Sequence, residues 1–305
     1  MSSSSSSIRI VSLIPSATEI VQALGCLDAL VARSHACDYP PQVLTVPVCT
    51  APNLDPHQSS GEIHHQVSQR LQRALSIYRL DLDMLRQLQP THILTQAQCE
   101  VCAVSLAEVE AALSVLDGCS PQVISLQPKT LSEVWQDILN VGQALGVKGD
   151  PVVDRLRDRL CQVQRQPPSP HPRVVCLEWT DPLMVAGNWV PELVALAGGQ
   201  DLLGQRGQHS DWITWDSLIQ IDPDVIVLMP CGFNLRATRE AAVALSQHPN
   251  WRQLQAVQTG QVYLTDGNQY FNRPGPRLVD SLEILGEILH PRGSSSPHPG
   301  WERFQ

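Results

Sequence analysis

Lysine is almost missing: Lys129 and Lys148 are the only two in 305 residues. Acidic side chains outnumber basic ones, 30 against 21, for a net charge of −9. Nucleic acids and anionic membrane surfaces are recognised through basic patches, so this balance argues against both as partners. No apolar run approaches the roughly 20 residues that a membrane-spanning helix requires, so direct insertion is not expected. The N-terminus, Met1 followed by Ser2 to Ser7, lacks the positive, apolar and small-residue regions of a secretory signal. The nine cysteines are odd in number and scattered, unlike a disulfide framework. These features together predict a cytoplasmic protein, or a periplasmic one if the start site is misassigned. Catalytic signatures are missing too: no phosphate-binding Gly-x-x-x-x-Gly-Lys-[Ser/Thr], no Gly-x-Gly-x-x-Gly after a strand, no Gly-x-Ser-x-Gly and no His-Glu-x-x-His. A non-enzymatic role is therefore expected.

What is present reads as α/β. At roughly 150 residues per domain the length suggests two domains. Hydrophobic residues at 43% and charged residues at 17% are ordinary for a globular chain. Strands are expected over residues 8–14, 29–34, 91–96, 123–126, 173–179, 225–230 and 261–266. Helical periodicity falls between them, at 63–76, 106–116, 190–197 and 278–289. Ser16-Ala17-Thr18-Glu19 reads as a capping box opening the first helix, and Gly25 as its stop. Such alternation implies parallel sheets covered on both faces. Over residues 150–167, Val153, Leu156, Leu160 and Val163 recur on one face of a long helix, followed by Pro167-Pro168-Ser169-Pro170. The division expected is a disordered start (1–7), an N-terminal α/β lobe (8–130), a helical connection (131–170), a C-terminal α/β lobe (171–290) and a disordered tail (291–305).

The chain also echoes itself. Asp83-x-Leu85-x-x-Leu88-x-Pro90-x-x-Ile93-Leu94 matches Asp216-x-Leu218-x-x-Ile221-x-Pro223-x-x-Ile226-Val227 at a constant offset. Each copy reads as a short helix, a proline-marked turn and a buried strand, which suggests two similar lobes.

Open parallel sheets bind ligands beyond the carboxyl ends of their strands. The candidates there are Ser16 and Thr18 at a helix start, Cys37, Asp38 and Tyr39 after the second strand, and Gln96 and Cys99 after the third. In the second half they are Trp179, Trp189, Trp212 and Trp215, then Tyr270, Phe271 and Arg273. Six of the seven tryptophans follow residue 150, and aromatic faces suit a large flat ligand. Cys99-x-x-Cys102 with Cys37 can bind zinc or iron or form a redox pair, and His35, His64, His65 or His209 can complete such a set. Zinc sites usually need four ligands, and one CxxC pair alone is incomplete.

Ile10-Val11-Ser12-Leu13-Ile14-Pro15-Ser16-Ala17-Thr18-Glu19, Ala23-Leu24-Gly25 and Cys37-Asp38-Tyr39-Pro40-Pro41 together resemble the opening of the cobalamin-binding proteins of ABC importers. These belong to the iron-chelate and cobalamin class of periplasmic binding proteins. The Pro90 and Pro223 units and Phe271-Asn272-Arg273-Pro274-Gly275-Pro276-Arg277 fit the same family. The resemblance spans about residues 8–290. It implies two Rossmann-like lobes with parallel sheets, joined by one long helix, with the ligand clamped between them. It also implies an acidic residue on each lobe that docks on a membrane permease, and Asp83 and Asp216 match those positions. Tyr270, Phe271 and Arg273 match a ligand-contacting segment, and Trp212 or Trp215 a tryptophan beside the corrin. The thiol set Cys37, Cys99 and Cys102 departs from the family.

Three functions follow as expectations. The first is a monomeric, non-enzymatic binder of a corrinoid such as cobalamin, acting with an ABC permease or as a cytoplasmic carrier. The second keeps the fold and exchanges the ligand for haem, an iron chelate or a metal ion held by Cys37, Cys99 and Cys102. The third is a cysteine-dependent enzyme acting on a corrinoid or another small molecule.

Overall fold

The computed structural model describes residues 7–53, 55, 58–72, 77–96, 104, 106–114, 120–163, 171–291 and 298–305. The first elements in chain order are β1 (Ile10–Ser12), α1 (Pro15–Ala23), β2 (Leu30–Arg33), β3 (Thr50–Pro52), α2 (Ser60–Gln72) and β4 (Tyr78–Leu80). Next come α3 (Leu82–Leu88), β5 (His92–Gln96), α4 (Leu106–Ser114), β6 (Gln122–Leu126), α5 (Leu131–Ala144) and α6 (Asp150–Val163). The second half holds β7 (Arg173–Thr180), β8 (Leu183–Val185), α7 (Val190–Leu196), β9 (Gln200–Asp201), β10 (Asp211–Trp212) and α8 (Trp215–Ile221). It ends with β11 (Val225–Leu228), α9 (Leu235–Leu245), α10 (Gln255–Gln258), β12 (Val262–Thr265), α11 (Leu278–Leu289) and β13 (Trp301–Arg303). Among the described residues no helix is long and apolar enough to cross a membrane.

Two compact units result. The first comprises residues 1–57, 65–128 and 135–153, the second 58–64, 129–134 and 154–305. The first unit is built on a four-stranded parallel sheet in the order β2-β1-β5-β6. Fully buried strands read as continuous apolar runs, and Val11, Leu13, Ala32 and Ile93 supply them here, packed with Leu85 of α3 and Val109 of α4. A separate antiparallel pair, β3 with β4, lies in the same unit. The second unit's sheet runs β10-β8-β7-β11-β12-β13, with β9 beside β7. Its parallel centre, β7, β11 and β12, buries Val175, Leu177, Ile226, Leu228 and Leu264. The parallel α/β plan of the sequence reading is thus present, with a correction at its margins: β8, β10 and β13 are antiparallel.

Two local expectations also need correcting. The capping box does not form: Pro15 occupies the first helical turn, where its fixed φ suits the helix, so the N-cap is Ile14 without a side-chain bond and Ser16 lies inside α1. The tail beyond Pro291 is not wholly irregular, because Trp301–Arg303 adds an antiparallel edge to β12. Its signal was invisible locally, since three residues become a strand only through pairing with a distant partner. The proline run at 167–170 lies outside the described residues, as do Cys99 and Cys102.

The internal echo has a structural counterpart. Asp81 caps α3, accepting from Met84 N at 2.9 Å, and Thr214 caps α8, accepting from Ser217 N at 3.2 Å. Both helices end in a left-handed residue, Gln89 (φ 44°) and Asp222 (φ 42°), immediately before Pro90 and Pro223. Leu85 and Leu218 are fully buried at equivalent places. Each copy therefore uses the same stop: a helix cannot continue into the residue before proline, and the left-handed turn aims the chain into the next strand. Truncating either leucine removes buried methyls from one unit's core, so Leu85→Ala and Leu218→Ala should each cost about 3 kcal/mol, measured by urea unfolding.

Candidate functional site

The carboxyl ends of the parallel strands are built differently in the two units. In the first, the end of β1 and the loop after β2 converge on a buried polar knot. The Thr18 hydroxyl lies 2.8 Å from Ser12 Oγ and 3.0 Å from Cys37 Sγ. Ser12 Oγ in turn reaches the Ile14 carbonyl at 3.1 Å. Buried Arg33 fastens the same loop, donating from Nη1 to the carbonyls of Cys37 (2.8 Å) and Ser34 (3.2 Å). Beside it, the Thr50 hydroxyl lies 2.7 Å from His35 Nδ1 and 3.1 Å from Ser34 Oγ.

Ser16, Thr18 and Cys37, expected to meet a ligand, are fully buried. Thr18 and Cys37 hold the loop in place rather than line a surface, whereas Ser16 Oγ has no hydrogen-bond partner. Gln96 is buried at the end of β5. Asp38 and Tyr39 are partly exposed in the loop after β2. Burial and then the Arg33 charge hold the His35 imidazole below its usual pKa.

The second unit carries the aromatic groups. Trp179, at the end of β7, donates from its indole N–H to the Asp181 carbonyl at 3.1 Å and meets Phe233 edge-on, ring centroids 5.3 Å apart. Trp212, 50% exposed, has the His64 ring against its edge at 5.1 Å. Ser60, near His64 in the chain, hydrogen-bonds Thr180 at 2.9 Å between hydroxyls. Trp215 stacks flat on His248 at 3.8 Å. Glu178 accepts from Ser210 Oγ at 2.6 Å.

Residues 266–273 close this edge. Asn272 Nδ2 donates to the carbonyls of Met229 and Gly267, each at 2.9 Å, tying the end of β11 to the turn after β12. A Cβ at Gly267 would come within 2.2 Å of the Pro230 carbonyl oxygen, so only glycine fits that crossing. Arg273 is buried and reaches Asn268 Oδ1 at 3.1 Å. Tyr270 is half-buried, with the Arg277 guanidinium 4.6 Å from its ring centroid. Burial raises its phenol pKa against the opposing pull of Arg277.

Phe271 and Trp189 are the second correction. Phe271 is fully buried with φ +66°, a conformation that costs a non-glycine residue energy. Both of its backbone polar groups are held: its N–H donates to Ser281 Oγ at 3.0 Å, and its carbonyl accepts from the Trp189 indole at 2.7 Å. The two aromatics anchor the loop instead of facing a ligand. Sequence reasoning did not single out Phe233, Glu178 or Ser210. The turn Pro230-Cys231-Gly232 after an apolar strand was the available signal for Phe233.

Of the expected thiol set only Cys37 lies within the described residues, and it is buried against Thr18. Among the described residues no group of three or more metal-ligating side chains occurs. Burial pushes the Cys49 thiol up to about 12, and Cys176 is raised well above its usual value by burial. Asp83 and Asp216 both lie exposed in the first turn of their helices, Asp83 paired with Arg86 at 2.8 Å. Two surface depressions, of about 250 Å³ beside Gly204 and His209 and about 320 Å³ beside Cys49 and Arg79, are lined by none of the aromatic candidates.

Two α/β units with parallel central sheets, whose strand ends carry fixed polar and aromatic groups, are the frame on which open α/β folds hold ligands. The chain belongs to the periplasmic binding protein family, which matches residues 10–269. It is 26% identical over 290 residues to a vitamin B12-binding protein of Vibrio cholerae serotype O1, covering 92% of this chain and 88% of the relative. Among solved structures it resembles a periplasmic vitamin B12 binding protein of Vibrio cholerae (25% identity, TM-score 0.62, 92% and 96% of the two chains). It shares its fold with a periplasmic heme binding protein of Pseudomonas aeruginosa (20% identity, TM-score 0.68, 97% and 98%). The class is one of binding proteins, and this chain is not an enzyme.

Two outcomes check the chemistry of the thiols and of His35. Iodoacetamide near pH 8 should modify exposed Cys161 well before buried Cys37, Cys49 and Cys176, read by peptide mass spectrometry. Because the His35 pKa is lower folded than unfolded, the unfolded state binds more protons, and stability falls as pH drops through about 6.5. His35→Asn should lose less stability than the parent chain between pH 7.5 and pH 5.5 in urea titrations.

Proposed function

We propose that this protein captures a corrinoid, a cobalamin-like molecule, and delivers it to an ABC-type permease. The observation that carries the reading is a set of three partly exposed aromatics in the strands and strand-end loops of the second unit, Trp179, Trp212 and Tyr270, each braced by a neighbour and each with surface left open. Broad rings of this kind bury much apolar area on a flat macrocycle at small entropic cost. Two polar side chains of the same unit, Asn268 and Glu178, suit the amide-bearing periphery of a corrin. The cobalamin binding named for the Vibrio cholerae relatives supports the choice of ligand. Asp38 and Tyr39 in the first unit are further candidate contacts. Asp83 and Asp216, exposed at matching places, are the proposed permease contacts.

Calorimetric and absorbance titration of the purified chain with hydroxocobalamin tests this. Saturable binding tighter than about 1 μM is expected, and Trp212→Ala should weaken it roughly tenfold. Haemin in a parallel titration distinguishes the haem reading: tight haemin binding with no response to hydroxocobalamin up to ~100 μM would overturn the corrinoid assignment. Asp83→Lys with Asp216→Lys should leave hydroxocobalamin affinity unchanged within about twofold, as expected for exposed charges outside the proposed ligand contacts.

A further inference from the structure

The last eight residues have no role in the function proposed above, and β13 lies beyond the residues matched by the family. They are nonetheless tied down at every step. His298 N donates to Glu287 Oε2 at 2.8 Å, and the Trp301 indole donates to the same oxygen at 2.7 Å. The Gly300 carbonyl accepts from Asp266 N at 2.9 Å, at the first residue of the aromatic loop. β13 pairs Trp301 with Thr265, Glu302 with Leu264 and Arg303 with Tyr263. Phe304 N then reaches the Val262 carbonyl at 2.9 Å, and its ring meets Trp251 edge-on. Arg239 pairs with Glu302 from α9, and Arg303 donates to the Gly260 carbonyl.

This segment ends against Tyr270. The His298 ring packs edge-on to the Tyr270 ring, centroids 5.0 Å apart. Gly300 is buried, and a Cβ there would lie 2.5 Å from Tyr270 Cε2 and 2.9 Å from Cδ2. The absent side chain is thus the space that the tyrosine ring occupies. The Arg277 guanidinium also lies over the Tyr270 ring. Arg277 is itself held by Gln269 Oε1 at 2.6 Å and Asp280 Oδ2 at 3.4 Å.

We propose that the C-terminal segment, residues 298–304, is a positioning strap: Gly300 and His298 set the Tyr270 ring in its binding orientation, and β13 locks the strap to the sheet that carries the loop. The proposal rests on the corrinoid reading for its ligand and on nothing from that reading for its geometry. It makes Gly300 a positioning residue that acts through Tyr270. Hydrogen bonding at Asp266 N and aromatic contact at Tyr270 place both ends of the 266–270 turn under the strap's control.

A double-mutant cycle in the full chain tests it, using hydroxocobalamin as the probe. Gly300→Ala should weaken binding about tenfold, because the ring must leave its place. In a Tyr270→Ala background the same Gly300→Ala change should alter affinity by less than twofold, since no ring remains to be displaced. An equal loss in both backgrounds, or no loss in either, overturns the proposal. A second measurement needs no ligand. In Trp301→Ala, amide hydrogen exchange at residues 266–272 should rise at least tenfold while residues 174–177 of β7 keep their protection. Unchanged exchange at 266–272 overturns the strap even if hydroxocobalamin does not bind, and absent binding by the parent chain overturns the corrinoid reading alone.

Discussion

The second unit depends on one over-determined residue. Phe271 takes a left-handed backbone that costs on the order of 1 kcal/mol or more in a non-glycine residue. Burial of its ring and hydrogen bonds at both its N–H and its carbonyl offset that cost. The donors and acceptors come from α11 and from the residue before α7, so the turn is fixed to two helices at once. Because the chain reverses at Phe271, Tyr270 on one side is partly exposed, and Asn272 on the other reaches back to bridge the ends of β11 and β12. A strained anchor inside the core thus holds a half-exposed ring at the edge.

The first unit solves the same problem with polarity in place of aromatic packing. Its loop after β2 contains buried hydroxyls and a thiol, and buried polar groups are tolerable when paired. Thr18, Ser12 and Cys37 pair among themselves, and Arg33 fills the carbonyls that the loop leaves open. The cost falls on a neighbour: burial, and then the Arg33 guanidinium beside it, hold the His35 imidazole below its usual pKa. The two units share a framework, visible in the matched Asp81 and Thr214 caps and the matched Gln89 and Asp222 turns. What they set on that framework differs.

Much of the framework was legible in the sequence because it is written in local rules. Apolar runs marked β5, β7 and β11 to within a residue or two, and periodicity gave α11 over Leu278–Leu289. The proline-marked echo located two equivalent helix stops, since proline acts on its immediate neighbour. Site residues were legible by position along the strands but not by orientation. Nothing local distinguishes Phe271, turned into the core, from Tyr270 beside it. Cys37 read as a candidate ligand because a thiol after a strand carries no label for burial, and only the distant Thr18 decides where it points. The antiparallel strands β8, β10 and β13 escaped for a related reason. Each is three residues or fewer and exists through pairing, which composition does not encode.

The arrangement of the aromatic edge bears on what it can bind. A ring that must be ordered on binding loses side-chain freedom, which subtracts from affinity. Trp179 is held by its indole N–H on a backbone carbonyl, and Trp212 by its near-perpendicular contact with the His64 ring. Tyr270 is held by a guanidinium and by the C-terminal segment. These contacts order the rings before a ligand arrives, and each ring is still partly exposed. Small polar molecules gain little from such platforms, because they have too little apolar area to cover them. A rigid macrocycle gains in proportion to the area it covers, and it brings no flexibility of its own to lose. Fixed platforms and a stiff, broad ligand therefore suit one another on entropic grounds, independently of which metal the macrocycle carries.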